Sequence, residues 1–194
     1  MKRTASDAAQ TREALLQAAL ESFGEFGWKA STFENVAERA GVTRGALHHH
    51  FRSKQSLLVE ALNWGWSEYG SHLFDSKGDR ESGQAFLVSL FNTFIILLRS
   101  DEQFRALVST TVLTAPQAFE TADAKYNALD LWRNDIFDVL VGDGLSSTDA
   151  HRIAGLVIVV LQGLTLSAVT RPEDLPKPED TKEVSLTLAK GLLG

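Results

Sequence analysis

The 194 residues contain no cysteine, one methionine, two tyrosines and four prolines. Without thiols there is no disulfide framework and no thiolate metal site, and nothing ties the chain to an oxidising compartment. The start MKRTASDAAQ is basic but has no apolar run behind it, which argues against a secretory signal and makes cytoplasmic residence the expectation. G-x-S-x-G, H-E-x-x-H and a phosphate-binding glycine loop are all missing, and the carboxylates are spread along helix faces as solvated charge usually is. The chain is therefore expected to be no enzyme and to carry no cofactor. No repeat of fixed period is visible, and no segment after residue 83 shows the alternation of a half-buried strand.

One acid-free window gathers cations. The net charge is −6, which suits a polyanion poorly until the charge is located. Residues 1–55 hold eight Lys and Arg against six Asp and Glu, so the negative excess lies in the remainder. Between Glu38 and Glu60 there is no Asp or Glu, while Arg39, Arg44, Arg52, Lys54 and three histidines fall there. That stretch suits phosphate.

What is present is helical periodicity. Leu15, Ala19 and Phe23, with Leu16, Leu20 and Phe26, predict a first helix from about Ala8–Thr11 to Phe26, ended by Gly27. Phe23, Phe26, Trp28, Phe33 and Phe51 supply the aromatic mass of a small three-helix core. Ser31 with Glu34 has the form of a capping box for a second helix, with Thr32 as the alternative cap. Thr43 is placed to cap a third helix from Arg44 to about Phe51, and Ser53 a fourth running through Leu73. Gly65 and Gly70 inside that fourth helix each cost about 1 kcal/mol relative to alanine, so its far half bends or packs closely against a neighbour. Further helices are predicted near 84–99, 102–114, 116–141, 147–169 and 178–193. The sequence thus predicts an all-α chain of about nine helices, an N-terminal three-helix helix-turn-helix module followed by a C-terminal helical bundle.

ENVAERAGVTRGALHHHF, Glu34 to Phe51, is the organising stretch. Two helices crossing at about 90–120° need a small residue at the contact, one free to adopt positive φ in the turn, and an apolar anchor beyond it. Ala37, Gly41 and Leu47 have that spacing. GVTRGALHHHFRSKQSLL, with TREALLQAALESFGEFGWKASTFENVAERA upstream, resembles the TetR family of bacterial transcriptional regulators over roughly Thr11 to Leu62. The resemblance implies a homodimer, with residues 1–52 as a DNA-binding domain and 53–194 as a ligand-binding and dimerisation domain. It implies further that the start of the third helix enters the major groove of double-stranded DNA at a palindromic operator. Thr43, Arg44, Gly45 and Ala46 then lie nearest the bases, and Arg44 alone of these can make a bidentate contact to guanine. Thr32 and Thr43 would bond phosphate while capping, and Lys54 matches a phosphate-binding lysine. Family members usually carry tyrosine where this chain has His48, so that contact departs from the pattern. FRALVSTTVLTAPQAFE is similar to the branch that controls multidrug efflux genes.

The three consecutive histidines point about 100° apart on a helix, whereas helical chelation needs positions i and i+4 on one face. His48 and His49 are therefore read as phosphate or base contacts and no metal site is expected; His50 is read as packing. In the C-terminal part, Trp66, Tyr69, Phe91, Phe94 and Trp132, with Thr110 and Gln162 as orienting groups, are candidates to line a pocket for a small hydrophobic or aromatic effector. Each taken singly is equally well a core residue. Ile153–Val169 is apolar but short for a membrane span and broken by Gln162, Thr165 and Ser167, so a buried core helix is preferred. Together with the last helix it is expected to form the dimer interface. A helical carrier or sensor of hydrophobic ligands without sequence-specific DNA binding is the alternative.

Overall fold

The computed structural model describes residues 5–74, 82–119 and 128–194, and all regular structure among them is helical. The helices are α1 (Ala5–Ala30), α2 (Phe33–Arg39), α3 (Arg44–His50), α4 (Lys54–Phe74), α5 (Gly83–Ser100) and α6 (Glu102–Ser109). A π-helical turn, Thr110–Thr114, follows, then α7 (Ala115–Ala118), α8 (Ala128–Gly142), α9 (Ser147–Thr170) and α10 (Thr181–Leu193). With Glu102–Ala118 taken as one rod, the described residues hold nine helices. Part of the helix expected over 116–141 lies outside the described residues. Two compact units result: residues 1–68 with 106–126, and residues 69–105 with 127–194.

In the first unit, Leu15, Leu16, Ala19, Leu20 and Phe23 of α1 are buried, together with Val36, Leu47, Phe51, Leu57, Leu58 and Leu62. Phe26 departs from its expected place in this core. It is 44% exposed, because the helical stripe already turns inward through Phe23, and the Arg39 guanidinium covers its ring. Gly27 breaks α1 with φ 71° and ψ −177°. That break decides the cap of α2: Ser31 turns inward, its hydroxyl 2.8 Å from the Ser22 and Gly27 carbonyls. Thr32 takes the cap instead, accepting from the Asn35 amide while the Asn35 side chain accepts from the Thr32 amide. The reciprocal box is thus Thr32 with Asn35, not Ser31 with Glu34.

α2 ends in a Schellman closure, with Gly41 at φ 66° and the Val42 and Gly41 amides donating to the Ala37 and Glu38 carbonyls at 2.9 and 3.0 Å. Ser53 caps α4, its hydroxyl accepting from the Ser56 amide at 3.0 Å. Gly65 is a close approach: a Cβ there would lie 2.6 Å from a Leu107 methyl. At Gly70 nothing lies within 4 Å. The π turn meets α1, Thr110 and Thr114 donating to the Leu20 and Phe23 carbonyls at 3.3 and 3.1 Å.

The second unit packs α5 against α9 and α10, and α8 against α9. α5 buries Phe86, Leu87, Leu90, Phe91, Phe94, Ile95 and Leu98. α5 and α9 are both long and apolar enough to cross a membrane by length and composition alone. The proline-rich connection forms a 3₁₀ turn at Pro172–Asp174, buries Leu175 and accepts from Arg99 at the Leu175 carbonyl. The last helix begins at Thr181 rather than Pro178, since the Lys177–Asp180 turn closes first.

Candidate nucleic-acid interface

The turn residues set the third helix out from the unit's surface. Thr43 caps α3 by accepting from the Ala46 amide at 3.2 Å, Leu47 anchors its inner face at 0% exposure, and Phe51 stops it with an extended φ of −131°. Thr43, Arg44, Gly45, His48 and His49 are exposed, and Ala46 is half-buried. The helix N-terminus with its free amides and the arginine beside it therefore share one surface.

Much of the positive charge of this unit is already matched. Arg12 pairs with Glu60, and Arg39 pairs with Glu25 and, at 3.5 Å, with Glu21; the Glu25 hydrogen bond, the first cause, raises the Arg39 pKa further. Arg52 is exposed. Lys54 is turned inward. Its ammonium donates to the Trp28 and Ser31 carbonyls and lies 4.2 Å from the Trp28 ring centre. Burial lowers its pKa. Two of its three donors thus tie α4 to the end of α1.

Arg44 has a partner that the sequence did not announce. Its Nη1 lies 2.6 Å from Glu34 Oε1, and its Nε donates to His48 Nε2 at 3.3 Å. The Glu34 carboxyl is held below the usual carboxylate range, first by a backbone N–H and then by the Arg44 charge and the Thr32 hydroxyl. His48 also packs on Phe33, ring centres 4.9 Å apart. Glu34 escapes sequence reasoning because its link to Arg44 spans a turn whose geometry comes from Gly41. The histidines do not gather: among the described residues no group of three His, Asp or Glu side chains converges to hold a metal ion.

The residues expected to line an effector pocket divide between the units. Trp66 and Thr110 belong to the first, where Trp66 donates to the Thr111 hydroxyl at 3.1 Å and Thr110 donates to Leu20. Thr110 is fully buried in that bond, which occupies the donor expected to orient a ligand. In the second unit Tyr69, Phe94, Phe104 and Trp132 form one aromatic cluster. The Phe94 ring meets Phe104 and Trp132 edge-on at 5.3 and 6.4 Å, and Tyr69 packs on Phe104 at 5.2 Å while donating to Asp101. Phe91 is buried on α5, and Gln162 is half-buried on α9.

Helix order, the Gly41 turn and an exposed α3 define a helix-turn-helix protein. The model of bacterial regulatory proteins of the tetR family matches residues 15–61, which is α1 from Leu15 through the first two turns of α4. The chain is 28% identical over 125 residues to the HTH-type transcriptional repressor KstR2 of Rhodococcus jostii, covering 64% of this chain and 50% of that one. It is 52% identical over 62 residues to the HTH-type transcriptional repressor BepR of Brucella suis, 32% of this chain and 30% of that one. The matches thus span half or less of these curated relatives. Across nearly the whole chain, a crystal structure of a transcriptional regulator from Rhodococcus sp. RHA1 aligns with a TM-score of 0.70 at 25% identity, covering 94% of this chain and 95% of that one. Over residues 15–61 the chain carries the N-terminal module of the TetR family of bacterial regulatory proteins. NalD, described as the secondary repressor of the MexAB-OprM multidrug efflux pump in Pseudomonas aeruginosa, shares the fold at a TM-score of 0.67 and 22% identity, with 96% of both chains covered. The match to a family of regulatory proteins agrees with the expectation that the chain is not an enzyme.

Proposed function

We propose that the protein is a ligand-responsive transcriptional regulator, a repressor that binds a palindromic operator as a homodimer. The observation that carries this reading is Arg44, 63% exposed in its side chain at the capped start of α3. Arg44 reads a guanine in each half-site. Thr43, Thr32, His48 and His49 contact phosphate or base edges, Gly45 and Ala46 let the backbone approach, and the remaining Lys54 donor takes a phosphate. Residues 1–52 are the DNA-binding domain, and 53–194 bind the effector and the second subunit.

A single recognition helix reads too few base pairs for specificity, so two half-sites related by a two-fold axis are needed. Leu156, Val159, Leu166 and Val169 on α9 are 46–61% exposed, and Leu186 on α10 is 36% exposed. Spacings of three, seven and three put the α9 residues on a common side of the helix with exposed Gly163. Such a row favours the dimer interface over a membrane span, since α9 is also buried through Ile153, Val157, Ile158 and Leu161.

The effector is a small hydrophobic or aromatic molecule bound by the second unit at Tyr69, Phe91, Phe94, Trp132 and Gln162. Repression is relieved when that molecule binds the DNA-incompetent state more tightly than the competent one, because equal affinity shifts nothing. α4 carries Lys54 at its start and Tyr69 in its last third, so a displacement beside Tyr69 is transmitted along one helix.

Selection of bound fragments from random duplexes by the purified chain tests the reading directly. The expected product is an inverted repeat. Arg44→Ala is expected to weaken binding and relax discrimination at one base pair per half-site by ~1–3 kcal/mol. Recovery of random sequence by the unmodified chain would reject it in favour of a helical ligand carrier.

A further inference from the structure

We propose that Glu34 determines specificity at the reading head, holding Arg44 so that a neutral base edge with two well-placed acceptors draws it away more readily than an anionic phosphate does. This rests on Arg44 as a base reader. A guanidinium can bind two acceptors side-on through Nε and Nη2, or end-on through Nη1 and Nη2. In this structure the Nε donates to His48 and the Nη1 pairs with Glu34, so each fork has one arm taken. Guanine recognition end-on requires release from Glu34, and side-on recognition requires release from His48. Guanine offers O6 and N7 together and compensates for the lost partner. A phosphate on random DNA also offers two oxygens, but it is an anion and is repelled by the Glu34 carboxylate beside Arg44, whereas guanine is neutral.

The surroundings support a positioning role. Glu34 sits in the first turn of α2, where the helix dipole favours its ionised form. Its carboxyl is held below the usual carboxylate range by that turn's backbone first, so it keeps its charge over the range in which DNA is bound. No acidic residue lies between Glu38 and Glu60 in sequence. With both side chains more than half exposed, the ion pair is weak and readily exchanged. Its effect is therefore on selectivity rather than on folding. Specificity is a difference between two affinities, and a contact that lowers the competing one raises it.

The test uses the full chain with Glu34→Gln, Arg44→Ala and the double variant, against the selected operator and a scrambled duplex of equal length. Glu34→Gln is expected to raise affinity for scrambled DNA about 3- to 10-fold more than for operator, and to steepen the salt dependence on scrambled DNA by about one counterion. In the Arg44→Ala background the same change is expected to have no effect on the ratio, whereas a purely structural role in α2 would persist there. An unchanged ratio in Glu34→Gln, with Arg44→Ala still relaxing one base pair, overturns the role of Glu34 alone. Unchanged discrimination in Arg44→Ala overturns the base-reading role and this inference with it.

Discussion

The helix-turn-helix corner and the aromatic cluster of the second unit use their side chains in opposite ways. In the corner, Thr32, Glu34, Thr43, Arg44 and His48 lie at the surface and bond to one another or to nearby amides, each link crossing at most ten residues except Lys54, which reaches back to Trp28. In the cluster, Phe94 meets Phe104 and Trp132, rings brought together from α5, α6 and α8, and the gain is burial. A surface of weak, exchangeable polar contacts can trade partners with DNA at little cost. A cluster of buried rings can accept a ligand only by giving up packing. The two regions are thus suited to different tasks before any partner is named.

Substitutions can break this contrast, beginning with the cluster. Phe94→Ala removes a ring that is 1% exposed and is expected to cost ~3–5 kcal/mol, read as a fall in the denaturant midpoint. Trp132 fluorescence follows the loss, and saturable rescue by a small aromatic molecule would mark the space as a ligand site. Leu47→Ala, at 0% exposure, is expected to cost ~2–5 kcal/mol and to abolish DNA binding by freeing α3. A cost below 1 kcal/mol would mean that the corner does not depend on its anchor.

Lys54→Ala is expected to have an intermediate effect of ~1–3 kcal/mol, because it leaves the Trp28 and Ser31 carbonyls without their cation. DNA affinity is expected to fall equally on all sequences, with a flatter salt dependence. The pH dependence has a definite sign. Burial lowers the Lys54 pKa in the folded chain, so between that value and the ordinary lysine value the unfolded chain binds more protons and stability rises with pH. Unfolding midpoints taken across that alkaline range should show a rise in the parent that Lys54→Ala lacks. Thr32→Ala is expected to be the mildest, at ~1 kcal/mol from the lost cap; a larger loss of operator binding than of stability would separate its phosphate contact from its capping.

The corner was legible because its determinants are local. Gly41, Thr43, Leu47 and Ser53 act within one or two helical turns of their own position, and each occupies its expected role. The errors arose where a distant group intervened. Ser31 turned inward because Gly27 left carbonyls to satisfy, and Thr110 spent its donor on α1. Gly65 announced a close approach without naming Leu107 as its neighbour.

By itself, then, the amino-acid order determined an all-helical chain, the helix-turn-helix corner with Gly41 at its turn, and the family that residues 15–61 match, since periodicity, caps and turn conformation act over a few residues. The tertiary structure decided which polar groups remain available. That Arg44 rests on Glu34 and His48, and that Trp66 and Thr110 part company from Tyr69, Phe94 and Trp132, follows from how helices pack, and hydrogen-bond partners across such contacts depend on ångström-scale geometry that no spacing along the chain encodes.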